Sequence, residues 1–428
     1  MATAATGTVA DRDYFTDHSV LLDPYDYFES ARAHGPVFQM PSRDLLIVTG
    51  FREAVEVLLN AQDYSSFATT DPLAPLPFDI GGDDLTDRIE ASRGKNSAFE
   101  LMVTYDSTNH AAARSLLNPL FTPSRLRANE EFMRTYADEL AREMVAKGGC
   151  ELIDDIATPY VTLVIADLLG VPEDDREEFR KVIDSGPPAG NMDAADAPQM
   201  ASPALAFMGA YFARYIQERR DNPRDDVMTE MALAKYPDGT TPALIEVVKT
   251  AMFLFAAGQD TSAKLLGNAI RYLAEHPDLQ QQLRDDRTLI PGFIEEMLRM
   301  EGSTKATFRL AKRNTRIGDV EVPAGKMVVI ALAAANRDPQ RWDDPAAFRI
   351  GRQRIKEHLA FGRGAHTCAG APLARAEVNV LLDRILEHTS AVTLSETHHG
   401  PKNARTIEYE ASYIIRGLAE LHVEFAPR

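Results

Sequence analysis

Hydrophobic and polar positions follow two different rhythms along this chain. Short apolar runs at residues 37–40 and 45–50 flank Pro41-Ser42-Arg43-Asp44, which predicts two strands joined by a turn. From residue 109 to 300 the apolar spacing is helical. The clearest helix follows the turn Pro237-Asp238-Gly239, with Thr241 placed to cap it and Pro242 to open it. Leu244, Val247, Val248, Ala251, Met252 and Phe255 keep the helical spacing. It resumes at Leu266, Ile270 and Leu273 and stops at His276-Pro277. A helix of more than thirty residues is predicted, long enough to cross the whole molecule. Strand character returns at 326–332, 407–413 and 421–425. Two stretches keep neither rhythm: residues 67–101, with Pro72, Pro75, Pro77 and Gly81-Gly82, and residues 185–203. Long irregular connections are uncommon unless they are functional. The expected fold class is mainly α with a smaller β region, the strands lying mainly near 37–50, 307–335 and 406–425.

Composition changes this picture little. The chain of 428 residues is 45% hydrophobic and 26% charged, with no repeat and no linker-like stretch, so a single domain over residues 1–428 is expected. Charge is more telling. A net −18, from 46 basic and 64 acidic residues, repels phosphate backbones and anionic headgroups, which speaks against nucleic acid and membrane surfaces as partners. Residues 1–14 lack the basic start and apolar run of a signal peptide. The apolar run at 328–335 is far too short to span a bilayer. A cytoplasmic protein without a membrane anchor is expected. Two cysteines, Cys150 and Cys368, cannot make a disulfide framework for a chain of this size, and a zinc site would need more ligands.

The chemistry concentrates around Cys368. In Phe361-Gly362-Arg363-Gly364-Ala365-His366-Thr367-Cys368-Ala369-Gly370, the two glycines Gly362 and Gly364 permit positive φ and a close approach of the backbone to a flat ligand. Phe361 can pack against an apolar face. Cys368 stands just before an amphipathic helix predicted over 372–388, where free N–H groups and the helix dipole favour a thiolate. Cys150, after Gly148-Gly149, has none of these features and reads as a packing residue.

This segment resembles the heme-binding loop of the cytochrome P-450 superfamily, in its soluble bacterial heme-thiolate form. The resemblance implies a P-450-like helical fold with the long central helix over the heme, heme b as cofactor, and Cys368 as the iron ligand. It also implies a monooxygenase that uses O2, two electrons and two protons, placing one oxygen atom in the substrate and releasing the other as water. Further segments resemble the family in order. Glu296 and Arg299, three apart on one helix, match its Glu-x-x-Arg pair, and Arg352 matches the arginine that completes it, a structural role. Ala257-Gly258-Gln259-Asp260-Thr261 matches the acid–alcohol pair beside the dioxygen site, with Thr261 facing the site and Asp260 reaching toward solvent or a second layer to relay protons. A mid-helix glycine costs about 1 kcal/mol against alanine, so Gly258 is expected to let a ligand approach the helix beside Ala257. His110, Arg114, Arg309 and His366 match heme-contacting positions and are expected at the propionates, with Gly370 completing the loop.

Nothing resembles a fused reductase, so a separate ferredoxin and ferredoxin reductase are expected. Between Arg337 and Arg375 eight basic residues face four acidic ones, a local surplus suited to an acidic ferredoxin. The pocket walls are expected from residues 67–102, Leu73, Leu76, Phe78, Phe99 and Leu101 among them, and from residues 185–204, with Leu254 and Ala257 on the long helix, residues 303–307 and Ile414-Ile415 closing the pocket. These are mostly apolar and imply a hydrophobic small molecule: a terpenoid, a steroid-like compound or an aromatic hydrocarbon. Lys305 either pairs a substrate carboxylate or turns to solvent. A heme-thiolate peroxygenase or isomerase, and a non-enzymatic heme sensor, remain open at this point.

Overall fold

The computed structural model describes residues 12–94, 100–184 and 203–428. Among these, helices dominate, and ten short strands form three sheets. The strands are β1 (Val37–Gln39), β2 (Leu45–Val48), β3 (Tyr64–Ser65), β4 (Gly149–Glu151), β5 (Thr307–Ala311), β6 (Thr315–Ile317), β7 (Val320–Val322), β8 (Met327–Ile330), β9 (Thr389–Leu394) and β10 (His422–Pro427). The largest sheet has the order β1-β2-β8-β5-β3. β1 and β2 form the expected antiparallel pair, Val37 opposite Val48, and β2 continues parallel to β8, Leu45 beside Met327. Side chains alternate across a strand, and β5 uses this directly. Phe308 and Leu310 enter the core, while Thr307 and Arg309 face a cavity.

Residues 407–413 do not form the expected strand. Only Tyr409 bridges Leu418. The Ser412 hydroxyl accepts the amides of Ile414 (3.2 Å) and Ile415 (2.8 Å), so the chain turns where a ladder would continue. β9, which is not among the strands expected from the sequence, pairs with β10, and β10 with β4.

The long central helix runs Leu244–Glu275. It starts later than Thr241. The Thr241 hydroxyl meets the Lys235 ammonium, and Arg220 takes the Pro242 carbonyl at 2.8 Å, so these residues are tied to the preceding turn instead of capping the helix. The helix is buried along most of its length and packs against helices Thr158–Leu168, Ile290–Glu301 and Ala371–His388.

Helix Ile290–Glu301 anchors the cysteine loop through two adjacent carboxylates. Glu296 and Arg299 are fully buried and paired at 2.7 Å, and Arg352 Nε joins Glu296 at 3.1 Å. Arg299 also donates to the carbonyls of Asn336 (3.0 Å), Pro345 (2.8 Å) and Ala347 (3.3 Å). The Asn336 side chain in turn accepts the Leu359 amide at 2.7 Å, two residues before Phe361. Glu295 meets His358 at 3.2 Å and Arg375 at 2.5 Å, one residue on each side of the loop. Burial works against the Glu295 carboxylate, but hydrogen bonds from His358 and Arg375 outweigh it and hold the group down to about 2. Its contribution to stability is present above the ordinary carboxylate value of 4.5 and is lost as pH falls toward 2. Urea unfolding at about pH 5 and pH 3 should show a larger loss for the parent than for Glu295→Gln; equal losses would refute this anchor.

Candidate active site

The cysteine loop, the central helix and β5 converge on a cavity of about 350 Å³. The Cys368 amide donates to the Phe361 carbonyl at 2.9 Å and closes the loop. Gly362 and Gly364 sit at φ +66° and +77°, the left-handed region that glycine enters without strain. An added Cβ at Gly364 would stand 2.6 Å from the Leu58 carbonyl oxygen, so glycine also lets the loop lie on helix Phe51–Leu59. The Cys368 thiol is deep in the protein but open to the cavity. Burial pushes it up, while the N–H groups of Gly370 and Ala371, at the start of helix Ala371–His388, and the Arg114 guanidinium act in the opposite direction. Cys150 lies in β4, and burial pushes its thiol up to about 12, which leaves it unreactive.

His110 and Arg114, one turn apart on helix Ser107–Ser115, line the same cavity with Arg309 and His366. The two imidazole centroids are 3.9 Å apart. Burial, then Arg309, His110 and Arg114, hold His366 down to about 2, and burial holds Arg309 down to about 10. Asp106 is the carboxylate that opposes these effects at His110 and Arg309. Two guanidinium groups and two neutral imidazoles crowded in this way form a site for anionic groups. Together with an inward-facing thiol, they fit heme b: a sulfur ligand for iron and donors for two propionates.

Ala257, Gly258 and Thr261 line the cavity from the central helix, and the Thr261 hydroxyl donates to the Ala257 carbonyl at 2.8 Å. Gly258 has a second explanation. A Cβ there would stand 2.8 Å from Ile165 Cδ1, so glycine admits the neighbouring helix. Asp260 does not reach solvent. It is buried, with Oδ1 2.9 Å from the Lys264 ammonium, which also holds Glu410 at 2.5 Å. Asp260 Oδ2 has no hydrogen-bond partner among the described residues. Lys264 was legible as an i,i+4 neighbour of Asp260; Glu410, 146 residues further on, was not. Gly417 makes room for the lysine stem, since a Cβ there would stand 2.3 Å from Lys264 Cδ.

Several expected wall residues lie elsewhere. Leu254, Ile414 and Ile415 line the cavity, whereas Leu73, Leu76, Phe78, Leu101 and Lys305 do not. Leu73 is exposed, and Leu76 and Phe78 pack on the sheet core, with Phe78 5.5 Å from the Phe67 ring. Met102 and Val103 take the place given to Leu101. Lys305 is 1% exposed, and its ammonium is held by the carbonyls of Leu21 (2.7 Å) and Ser412, so it faces neither substrate nor solvent. Phe99 and residues 185–202 lie outside the described residues. Sequence reasoning missed Phe253 and singled out neither Thr69 nor Thr70, which also line the cavity. The two threonines begin the irregular stretch, where only apolar residues had been singled out.

The basic surplus between Arg337 and Arg375 is largely consumed inside the protein. Arg337 pairs with Glu301, Arg341 and Arg354 with Glu357, Arg349 with Asp343 and Asp344, Arg352 with Glu296, and Arg375 with Glu295. Arg363 donates to the Glu357 carbonyl at 2.6 Å. Lys356 is exposed.

Comparison with known proteins agrees with this geometry. A family model for cytochrome P450 matches residues 198–410. The chain is 32% identical over 412 residues to cytochrome P450 monooxygenase PikC of Streptomyces venezuelae, covering 94% of this chain and 91% of that protein. Its structure resembles substrate-free CYP150A6 of Mycobacterium marinum, with TM-score 0.92, 45% identity and coverage of 98% and 99%. It also resembles the testosterone complex of CYP109E1 from Bacillus megaterium, with TM-score 0.77, 26% identity and coverage of 94% and 99%. The chain thus belongs to the cytochrome P450 family.

Proposed function

We propose that this chain is a heme-thiolate monooxygenase that inserts one atom of O2 into a hydrophobic small molecule of terpenoid or steroid-like type, with electrons from a ferredoxin and its reductase. As a cytochrome P450 it is an oxidoreductase that binds heme b. The observation that carries the finer reading is the convergence of a lone inward-facing thiol and a crowded cation cluster on one largely apolar cavity. When bound, heme supplies the reductive activation of dioxygen.

The chain's own residues have distinct tasks. Cys368 holds the iron, and the N–H groups of Gly370 and Ala371 steady the charge on its sulfur. Phe361 and Gly362 line the cavity beside Cys368 and would help hold the heme. His110, Arg114, Arg309 and His366 hold the propionates. Ala257 and Gly258 keep the helix surface low, and the Thr261 hydroxyl, its proton engaged by the Ala257 carbonyl, presents its acceptor sites to the cavity. Asp260, next to it on the helix, helps relay protons and is held in place by Lys264. A steroid-like substrate is supported by the likeness to the testosterone-bound enzyme and by the cavity's apolar walls at Met102, Val103, Phe253 and Leu254. No helix among the described residues is long and apolar enough to cross a membrane.

The deciding experiment is the absorption spectrum of the dithionite-reduced protein with carbon monoxide. A strongly red-shifted Soret band identifies a thiolate ligand. A band of the histidine-ligated type, or no heme, refutes the reading.

Ferredoxin docking is supported near the cysteine loop. Exposed Leu59 lies against the loop, its Cδ2 3.4 Å from where a Cβ at Gly364 would stand, and exposed Lys356 precedes Glu357, whose carbonyl accepts Arg363. Lys356→Glu is expected to slow ferredoxin-dependent heme reduction by about tenfold at low salt and far less at high salt. Stopped-flow rates that match the parent at both salt concentrations would rule out docking at this face.

A further inference from the structure

The cavity wall opposite the cysteine loop is not uniformly apolar. Thr69, Ser303, Thr304 and Thr307 bring hydroxyl groups to it, next to Ile414 and Ile415. Thr304 bridges Ile415 across the backbone, so polar and apolar surfaces meet along one seam. Thr69 Oγ1 and Thr307 Oγ1 lie 3.3 Å apart, and Arg309 approaches Thr307 Oγ1 at 3.4 Å. Each hydroxyl has one proton and two acceptor sites. Whichever of the two donates to the other, the second keeps its proton for a ligand. The pair can thus donate one hydrogen bond and accept others at the cavity surface.

Charge sharpens the point. No acidic side chain lines the cavity among the described residues, and its cations are Arg114, Arg309 and Arg363 of the cysteine loop. Lys305, the one lysine between Thr304 and Thr307, is turned away and bound to backbone carbonyls. A substrate carboxylate would find on this wall only Arg309, which the heme propionates would engage, and a substrate ammonium would find no carboxylate. Burying either charge unpaired is costly.

We propose that Thr69 and Thr307 form a polar anchor that reads one uncharged oxygen function, a ketone or an alcohol, on an otherwise hydrocarbon substrate. The anchor selects oxygenated neutral molecules over plain hydrocarbons, which leave the hydroxyls unmatched, and over carboxylates, which arrive without a counter-charge. This rests on reading the cavity as the substrate site of a heme-thiolate enzyme.

The test titrates the holoenzyme with adamantane, 2-adamantanone, 2-adamantanol and adamantane-2-carboxylate, which share one skeleton. Affinity is read by equilibrium dialysis and by the heme absorbance shift. The ketone or the alcohol should bind at least about tenfold more tightly than both the hydrocarbon and the carboxylate. In Thr307→Val, or in Thr69→Val, that preference should fall to near onefold, and Thr307→Ser should restore it. If Thr307→Val loses heme because Arg309 is disturbed, Thr69→Val decides, since it leaves the Arg309 contact intact. A carboxylate that binds as tightly as the ketone, or a preference that survives Thr69→Val, overturns the anchor. The carbon monoxide spectrum of the same parent sample separates the two levels. Its failure refutes the heme-thiolate reading, whereas a normal spectrum with no preference refutes the anchor alone.

Discussion

Arg299→Met is expected to destabilise the folded protein by about 3–5 kcal/mol, the range for breaking a buried ion pair from one side. Arg299 is buried beside Trp342, with its guanidinium carbon 5.7 Å from the ring. Its two bonds to Glu296, at 2.9 and 2.7 Å, neutralise a carboxylate that has no access to water. Its remaining donors satisfy backbone carbonyls in the segment leading to the cysteine loop. Methionine fills comparable space but leaves Glu296 with only Arg352 and the Arg349 amide, and leaves the carbonyls of Asn336 and Pro345 without their donor. Because Asn336 also holds the Leu359 amide, heme should be released at lower urea concentration than in the parent. Equilibrium unfolding followed at the Soret band checks both points. A change within about 1 kcal/mol would mean that the ion pair does not support the loop.

Glu377→Gln should act in the opposite direction. Glu377 lies on helix Ala371–His388, fully buried, and neither carboxyl oxygen makes a well-formed hydrogen bond. Its neighbours offer little help. The Tyr160 hydroxyl bonds the Glu377 backbone carbonyl at 3.3 Å, and no cation counters the burial. Burial raises the carboxyl from 4.5 to about 8, and the Ser262 hydroxyl offsets this only in part. Below pH 4.5 the group is protonated whether the chain is folded or unfolded. Between 4.5 and about 8 only the unfolded chain ionises, so stability falls as pH rises through this window. At about 1.4 kcal/mol per pH unit the loss reaches roughly 3 kcal/mol at pH 7 and between four and five above pH 8. Glutamine cannot ionise and should escape it. Urea unfolding of both proteins at about pH 5, 7 and 8.5 should give a gap that widens with pH. A gap that stays constant would show that the carboxyl ionises normally in the fold.

Local chemistry was readable without coordinates. The cysteine loop is a run of ten residues whose glycines, aromatic ring and following helix act on one another directly. The Glu296–Arg299 spacing is likewise a property of one helix. His110 with Arg114, and Ala257 with Thr261, share a face because the helical repeat sets that face. The directions of isolated side chains were not readable. Leu76 and Phe78 have the composition of a pocket wall, yet they pack on the sheet core, and hydrophobicity alone does not distinguish the two surfaces. The arginines between Arg337 and Arg375 look like a docking patch until their carboxylate partners, Glu295, Glu296 and Glu301 on a preceding helix among them, are brought beside them.

By itself the sequence determined the long central helix, the β1–β2 pair, the thiol at the start of a helix and the residue types available to hold a heme. Each of these depends on hydrogen bonds and periodicities that close within a few residues. The tertiary structure decided what pairs with what across the chain. It joined Asp260 to Lys264 and Glu410, closed Lys305 against Leu21 and Ser412, and placed Thr69 beside Thr307. Those pairings follow from the burial of polar groups, which must find partners wherever packing places them.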